Sequence, residues 1–334
     1  MIVSSYAAAP ALDGWDPEQE AAFLAAAASL PHVSGLEIPL YATGKLHKYD
    51  GGWFLKQLRH LPDHLTYVVT TIPDTMDRAA SSPGFGLAST TEAGRRSAVE
   101  RAAVAAEAVR TLNDALGRRA VRAVHLFSAP RLGAGLPGAS SAVNELTESL
   151  RRAAGFRWDG ARIVLEHCDA ANRSHAPVKG FLRFEQEVEA VLAAGTGAGI
   201  AVNWARSVLE DRDPDAPVRH VELASTEGIL GGVVLSGCSS QATDFGAAWD
   251  DSHLPPAPVE PASLLTPQRI HTLAAAVDAG LDVTGLEPYR GLKVSAPPGS
   301  SVPQRVALLA RSIDEVRRAG FCRCLSRQRA GCCG

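Results

Sequence analysis

The stretch IVLEHCDA, residues 163–170, begins as a buried strand and ends in ionisable side chains. Positions 163–165 are apolar, and a short apolar run of this kind is typical of a strand covered on both faces. A carboxylate, an imidazole, a thiol and a second carboxylate then follow within four positions. Parallel sheets carry their functional groups at the carboxyl ends of the strands. The stretch therefore predicts one strand of a parallel sheet with a site at its end.

Short apolar runs of the same type recur along the whole chain, and helix-like segments separate them. They are IVSSY (2–6), GLEIPL (35–40), TYVVTT (66–71), AVHLFS (123–128), RIVLEH (162–167), GIAVNW (199–204), GVVLSG (232–237) and GLKVSA (291–296). Several segments between them start with Asp or Thr-Pro and end at Gly, which are helix start and stop signals. Eight strand-then-helix units predict a (β/α)8 TIM barrel, since doubly wound sheets usually stop at about five or six strands.

Composition narrows the partners of this barrel. The 334 residues are 46% hydrophobic and 21% charged, and the net charge is -3. This charge creates no electrostatic field that would attract nucleic acid or anionic lipid. The sequence has no stripe of basic and aromatic residues of the kind that binds nucleic acid. No apolar run approaches the roughly 18 residues of a membrane span. We expect a cytoplasmic protein that binds a small-molecule carbohydrate. Both a monomer and a homo-oligomer are compatible with the sequence.

The chain end differs in composition from the rest. Residues 1–320 are predicted to form one barrel domain, and FCRCLSRQRAGCCG (321–334) a flexible tail. The tail holds Cys322, Cys324, Cys332 and Cys333. A C-x-C followed by an adjacent pair is a poor match to zinc-site spacing, so the sequence assigns these thiols no role. Cys168 and Cys238 are predicted to be reduced, buried thiols.

Residue parity separates the ionisable groups of the opening stretch. Side chains of a strand alternate between the barrel lumen and the helix layer. Val164 and Glu166 share one side, and Leu165 and His167 share the other. An unpaired carboxylate in the apolar helix layer costs several kcal/mol, so Glu166 is predicted to face the lumen.

The same reasoning collects polar side chains from other strands and loops at the barrel mouth. Glu37, Asn203, Ser236 and Lys293 end strands, whereas Asp169, Asp251 and His253 lie in segments that follow strands. Carboxylate and imidazole groups of this kind suit Mg²⁺, Mn²⁺ or Zn²⁺. The predicted substrate contacts are His47, Asn203, Arg206, Ser236 and Trp249. His125, in mid-strand, is predicted to be a core histidine.

Two polar stretches follow strands and are predicted to be long loops on the carboxyl-terminal face. Residues 72–90 and 238–265 are rich in Gly, Pro, Ser and Asp. The active sites of such barrels are built from loops on this face, so both are predicted to border the site.

These residues also carry a family resemblance. The motifs are GLEIPL, HK-x-D, FGLAS, LEHCDA, PVKGF, NWARS, LSGCSS, WDDSHLPPAP and GLKV. Over residues 1 to about 315 the chain resembles a bacterial family catalogued as domain-of-unknown-function family 4862. More distantly it is similar to the xylose isomerase-like barrels, which include sugar isomerases, epimerases and an endonuclease of abasic sites.

The wider resemblance implies a divalent metal held by Glu, Asp and His at strand ends. Glu166 matches the expected glutamate of the fifth strand. Lys293 stands where another acid is usual on the eighth strand, and Asn203 stands where aspartate or histidine is commoner. The resemblance thus implies part of a metal site, with its remaining positions changed.

Three hypotheses follow for the function. The first is a metal-assisted isomerase or epimerase of a sugar, with Glu166, Asp169 or Asp251, and His253 as ligands. Glu37 would then be the base, and Lys293 would stabilise an enediolate. The second is a metal-free carbohydrate hydrolase or lyase that uses the two glutamates, or an aldolase that uses Lys293 as a Schiff-base amine. The third is a sugar-binding barrel without turnover.

Overall fold

Eight parallel strands, paired in chain order and closed by contacts between the first and the last, form a barrel. The structure is a computed structural model and describes residues 1–132, 139–285 and 287–322. The strands are β1 (Ile2–Ser4), β2 (Gly35–Pro39), β3 (Thr66–Thr70), β4 (Val121–Leu126), β5 (Arg162–Glu166), β6 (Gly199–Asn203), β7 (Leu230–Leu235) and β8 (Tyr289–Leu292). The predicted (β/α)8 barrel is confirmed.

Helices cover the outside of the barrel. They are α1 (Pro17–Ala28), α2 (Gly51–Leu58), α3 (Ile72–Ser81), α4 (Glu92–Leu116), α5 (Ala139–Ala154), α6 (Phe184–Ala194), α7 (Trp204–Asp211), α8 (Ala216–Thr226), α9 (Pro267–Thr284) and α10 (Val302–Arg318), with a 3-10 turn at Pro10–Asp13. Side-chain caps start several of them. Asp16, for example, accepts hydrogen bonds from the backbone N–H groups of Glu18 and Gln19. No helix in the described ranges is long and apolar enough to cross a membrane.

Several local expectations need correction; the eighth strand, predicted at 291–296, spans Tyr289–Leu292. Residues 72–81 form α3 and not a loop, because Pro73 suits a first helical turn and the buried Asp74 accepts hydrogen bonds from Arg78 and Arg101. The strand GIAVNW ends one residue early, since the side chain of Asn203 caps the backbone N–H of Arg206 and starts α7 at position 204. Residues 238–265 hold no helix or named strand, as expected.

The lower lumen is packed with apolar side chains. It contains Ile2, Val68, Ala123, Val164, Ala201, Val234 and Tyr289. Ile163 and Leu165 lie in the outer core against the helices, so the two faces of β5 follow the predicted parity. Cys168 and Cys238 are free and buried, whereas Cys324, Cys332 and Cys333 lie outside the described residues. A filled lower lumen leaves the carboxyl-terminal mouth as the place for a polar site.

Candidate functional site at the barrel mouth

Three buried polar residues meet where the strands end. Glu37 comes from β2, His125 from β4 and Glu166 from β5, with exposures of 4%, 0% and 1%. One ligand atom from each lies within 4.8 Å of the other two, so among the described residues this is a group that could hold a metal ion. The sequence predicted Glu37 and Glu166 at the mouth but treated His125 as core packing. Its ring does lie in the core, where it also bonds the hydroxyl of Tyr289.

A buried cation stands beside each of the two carboxylates. Lys293 follows β8 and donates a hydrogen bond of 3.0 Å to Oε1 of Glu37. Arg206, in the first turn of α7, places its guanidinium 3.0 Å from Oε1 of Glu166. Asn203 donates to the same oxygen at 3.0 Å. Burial alone would raise the pKa of Glu166, but the charges of Arg206, His125 and Lys293 hold that pKa well below its usual range.

The loop between β7 and α9 brings a third carboxylate over this pair. Asp251 lies 3.0 Å from Nε of Arg206 and 2.7 Å from Nζ of Lys179, which belongs to the segment after β5. Burial opposes ionisation, yet the charges of Arg206 and Lys179 keep the pKa of Asp251 well below its ordinary value. The ion pair joins two loops across the mouth.

His253 and Ser236 complete this side of the site. Nδ1 of His253 lies 2.8 Å from the hydroxyl of Ser236 and 3.2 Å from Oδ1 of Asp251. Burial lowers the pKa of His253 to about 3, so its imidazole is neutral at pH 7. Its backbone, like that of Trp249, has a positive φ, of 54° and 58° respectively, a conformation that bulky residues rarely adopt. The loop is thus held in a specific, unfavourable shape beside the site.

Several buried polar atoms at the mouth have no hydrogen-bond partner. They are the hydroxyl of Tyr6, Nδ1 of His125, Oε2 of Glu166, Nη1 of Arg206 and Oδ1 of Asp251. Two of them, on His125 and Glu166, are 3.2 Å apart in a geometry too poor for a hydrogen bond. Unpartnered buried polar atoms are unusual and each costs free energy. Donors and acceptors of this mixed kind match the hydroxyl groups of a polyhydroxylated ligand.

Apolar side chains from the segments after β3, β4 and β5 form a buried cluster, called here the apolar roof. Ile72, Phe127, Ala129, Cys168 and Phe181 form it, and Tyr6 packs against it. The roof and the Asp251–Lys179 ion pair leave the carboxylates and Lys293 at most 5% exposed. A ligand therefore enters only when these loops move.

A divalent ion does not fit the charges of this arrangement, although three donor atoms converge. Glu37, Glu166 and Asp251 supply three negative charges, and Lys293, Arg206 and Lys179 supply three positive ones. A metal at the three-residue group would compete with ammonium and guanidinium groups already 3.0 Å from its carboxylates. Buried cations that lose their partners are strongly destabilising. Internal ion pairs therefore engage the carboxylates that a metal would need, Glu37 and Glu166 among them.

Some predicted site residues lie elsewhere. The carboxylate of Asp169 accepts hydrogen bonds from the backbone N–H groups of Val178 and Lys179, so the structure does not bring it to the three-residue group. His47 is buried 3.0 Å from Glu20, with its other nitrogen accepting from backbone N–H groups. Trp249 stacks with the guanidinium of Arg212 at 5.0 Å. Their predicted ligand and substrate roles gain no support from these positions.

His167 lies outside the barrel, as parity indicated, in a second buried cluster. Its Nδ1 is 2.7 Å from Glu187 and its Nε2 is 3.3 Å from Glu210. Burial alone would lower the pKa of His167, but these carboxylates raise it to about 10. Burial raises the pKa of Glu187 although His167 opposes that shift. The pKa of Glu210 is lowered, because its contacts with His167 outweigh its burial. We assign the charge to the imidazolium because two carboxylates contact one ring.

Sequence reasoning missed two residues of the mouth, Tyr6 and Lys179. Positions 2, 4 and 6 share one face of the first strand, so parity could have placed Tyr6 at the lumen. Lys179 sits within PVKGF, but no local pattern links it to Asp251, which lies 72 positions further along the chain. Only folding brings the two together.

The fold is a TIM barrel, and several solved structures share it. A D-tagatose 3-epimerase-like protein superposes with a TM-score of 0.57 at 17% identity, over 95% of this chain and 98% of that one. D-psicose 3-epimerase from Clostridium cellulolyticum H10 gives 0.58 at 13%, over 96% and 99%. 3-Keto-D-glucoside 4-epimerase from E. coli gives 0.52 at 12%, over 84% and 89%. Identities this low show the fold alone.

The sequence comparisons place the chain within one family. Residues 2–308 match the family described as Domain of unknown function (DUF4862), and the chain belongs to it. A protein of Salmonella typhimurium strain LT2, described as uncharacterized, is 32% identical over 319 residues, which cover 95% of this chain and 97% of that protein. The family resemblance seen in the motifs is thereby confirmed.

Proposed function

We propose that the protein is an isomerase or epimerase that moves a proton beside the carbonyl group of a sugar or sugar derivative. The observation that carries the proposal is the buried pair of Glu37 and Lys293, 3.0 Å apart, beside the ionised Glu166. An acceptor for a carbon-bound proton and a cation for the resulting oxyanion then stand together. Three neighbours of the same fold are named as sugar epimerases or as similar to one, which supports a sugar as substrate.

Glu37 is the proposed base because it is the carboxylate that lies beside the ammonium of Lys293, whereas Glu166 is poorly suited to accept a proton. A carboxylate whose pKa is held well below its usual range accepts a proton poorly. Glu37 takes the proton from the carbon next to the carbonyl, the electrons of that C–H bond form the C=C bond, and the π electrons of the carbonyl move to its oxygen. Lys293 stabilises that oxyanion. Return of that proton to the former carbonyl carbon, while the adjacent hydroxyl passes its own proton to the oxyanion, gives the isomer. Protonation of the first carbon from its other face by the Tyr6 hydroxyl, which then takes up the proton held by Glu37, gives the epimer.

The remaining residues are proposed to orient the substrate. Oε2 of Glu166 and the hydroxyl of Tyr6, both without partners, would contact sugar hydroxyl groups. Asn203 holds Glu166 in place through a hydrogen bond of 3.0 Å, and Arg206 does so through an ion pair of 3.0 Å. The apolar roof excludes water while the enediolate exists, which protects a reactive intermediate.

A glycoside hydrolase is the second candidate, and one distance favours it. Oxygen atoms of Glu37 and Glu166 lie within 4.8 Å, close to the separation of about 5–5.5 Å in retaining enzymes. That reaction requires one of the two carboxyls to be protonated. Glu166 is held ionised, and Glu37 lies 3.0 Å from an ammonium group, so neither is arranged as the acid. Proton transfer therefore fits the site better than hydrolysis.

The test is isotope exchange on a panel of ketoses and aldoses in D2O, followed by NMR. We expect deuterium at the carbon beside the carbonyl of at least one sugar, together with its isomer or epimer. Glu37→Gln should reduce the rate by about 10²–10⁴-fold, because it removes the base. Glu222→Gln, on the exposed surface of α8, is the matched control. Exchange at an unchanged rate in Glu37→Gln, or none with any sugar, would overturn the proposal.

A further inference from the structure

The three-residue group at the mouth is surrounded by fixed positive charge. Lys293 is 0% exposed and Arg206 is 1% exposed, and each contacts a carboxylate of the group at 3.0 Å. The backbone N–H of Lys293 donates to the carbonyl of Leu235 at 2.8 Å, which continues the pairing of β8 with β7. Arg206 is set by the capped first turn of α7. Both cations therefore belong to the rigid barrel and not to mobile loops.

We infer that the ammonium of Lys293 and the guanidinium of Arg206 supply the positive charge that a divalent metal would otherwise give, so that proton transfer needs no metal. This inference rests on the proposed function. Preorganised cations in a dry site stabilise an oxyanion without rearranging during the reaction. A buried ammonium 3.0 Å from the proposed base lies where charge would develop on the substrate.

The balance of charge at the mouth explains why the two cations and a bound metal are incompatible. A metal bound by Glu37 and Glu166 would compete for the charge of carboxylates that Lys293 and Arg206 already contact. Lys293 would then stay buried without its Glu37 partner, and Arg206 would keep only Asp251, so metal binding is penalised. Replacement of Lys293 by a neutral residue should favour metal binding, because Glu37 then becomes an unpaired buried carboxylate beside His125 and Glu166. The wild-type site should therefore reject a metal that the variant accepts.

The experiment compares metal binding by wild type, Lys293→Met and Lys293→Gln. Protein purified without chelator is analysed for its metal content and then titrated with MnCl2 by calorimetry, without any sugar. Wild type should contain far less than one metal per chain. Lys293→Met should bind Mn²⁺ at least about tenfold more tightly, since it removes the competing charge. Lys293→Gln retains a hydrogen-bonding group and serves if the methionine variant does not fold.

Two controls make the result specific. Lys56→Met removes an exposed lysine of α2 and should bind Mn²⁺ as wild type does. Glu37→Gln added to Lys293→Met should abolish the gained site, because it removes a ligand. Stoichiometric metal in wild type, or no gain in either Lys293 variant, would overturn the inference. Since no sugar is present, absence of turnover on every sugar would count against the proposed function and leave the metal result intact.

Discussion

Replacement of His167 by glutamine should destabilise the protein strongly at neutral pH. The imidazolium lies between Glu187 at 2.7 Å and Glu210 at 3.3 Å, and all three side chains are 0% exposed. Loss of one partner from a buried ion pair costs about 3–5 kcal/mol. Unfolding entropy of roughly 2.1 cal/mol/K per residue gives about 0.7 kcal/mol/K for 334 residues, so Tm should fall by about 4–7 °C.

The pH dependence distinguishes a lost charge from lost packing. The pKa of His167 is 6.5 when unfolded and about 10 when folded, so its stabilisation is complete below pH 6.5 and declines as pH rises towards 10. The loss is about 1.4 kcal/mol for each pH unit in that window. Between pH 7 and pH 9 wild type should therefore approach the variant by about 2–3 kcal/mol.

Urea unfolding at pH 7 and pH 9 measures this difference. His64→Gln, at an exposed position, is the control for the substitution itself and should unfold as wild type does at both pH values. A gap between wild type and His167→Gln that is the same at both pH values would refute the assignment of the charge to His167.

Two further substitutions test the lumen and the mouth. A Cβ atom at Gly232 would lie 2.2 Å from the ring of Tyr289. Gly232→Ala should therefore lower the free energy of unfolding by about 1–3 kcal/mol, measured by thermal denaturation. An unchanged Tm would show that the lumen accommodates the added methyl group. Lys179→Met removes an ion pair between two loops, so hydrogen exchange in residues 238–265 should accelerate about tenfold. Exchange at the wild-type rate would mean that this ion pair does not hold the mouth closed.

Much of the fold could be predicted because its signals are local. Each strand is a short apolar run, and Gly or Pro punctuates the helices around it. The exceptions are places where a distant partner decides the structure. Asp74 belongs to a segment rich in loop-forming residues, yet its bonds to Arg78 and Arg101 stabilise a helix there. Arg101 lies 27 positions away, which no window of sequence reveals.

The candidate site, like the fold, has some features that the sequence predicts and others that depend on distant partners. Parity within one strand was enough to assign Glu166 to the lumen and His167 to the helix layer, because side chains on a strand alternate whatever surrounds them. Parity says nothing about partners. Asp169 was predicted as an alternative to Asp251 among the metal ligands, but folding turns its carboxylate to the backbone of Val178 and Lys179.

The sequence by itself determined the eight strand-and-helix units, the barrel that they form and the strands whose ends carry carboxylates. These features follow from periodicity, which each segment expresses alone. The tertiary structure alone decided that Lys293 neutralises Glu37 and that Arg206 joins Glu166 to Asp251. The physical reason is distance along the chain: Lys293 and Glu37 are 256 positions apart, and a charge acquires its partner only when the closed barrel brings β8 beside β1, which pairs with β2.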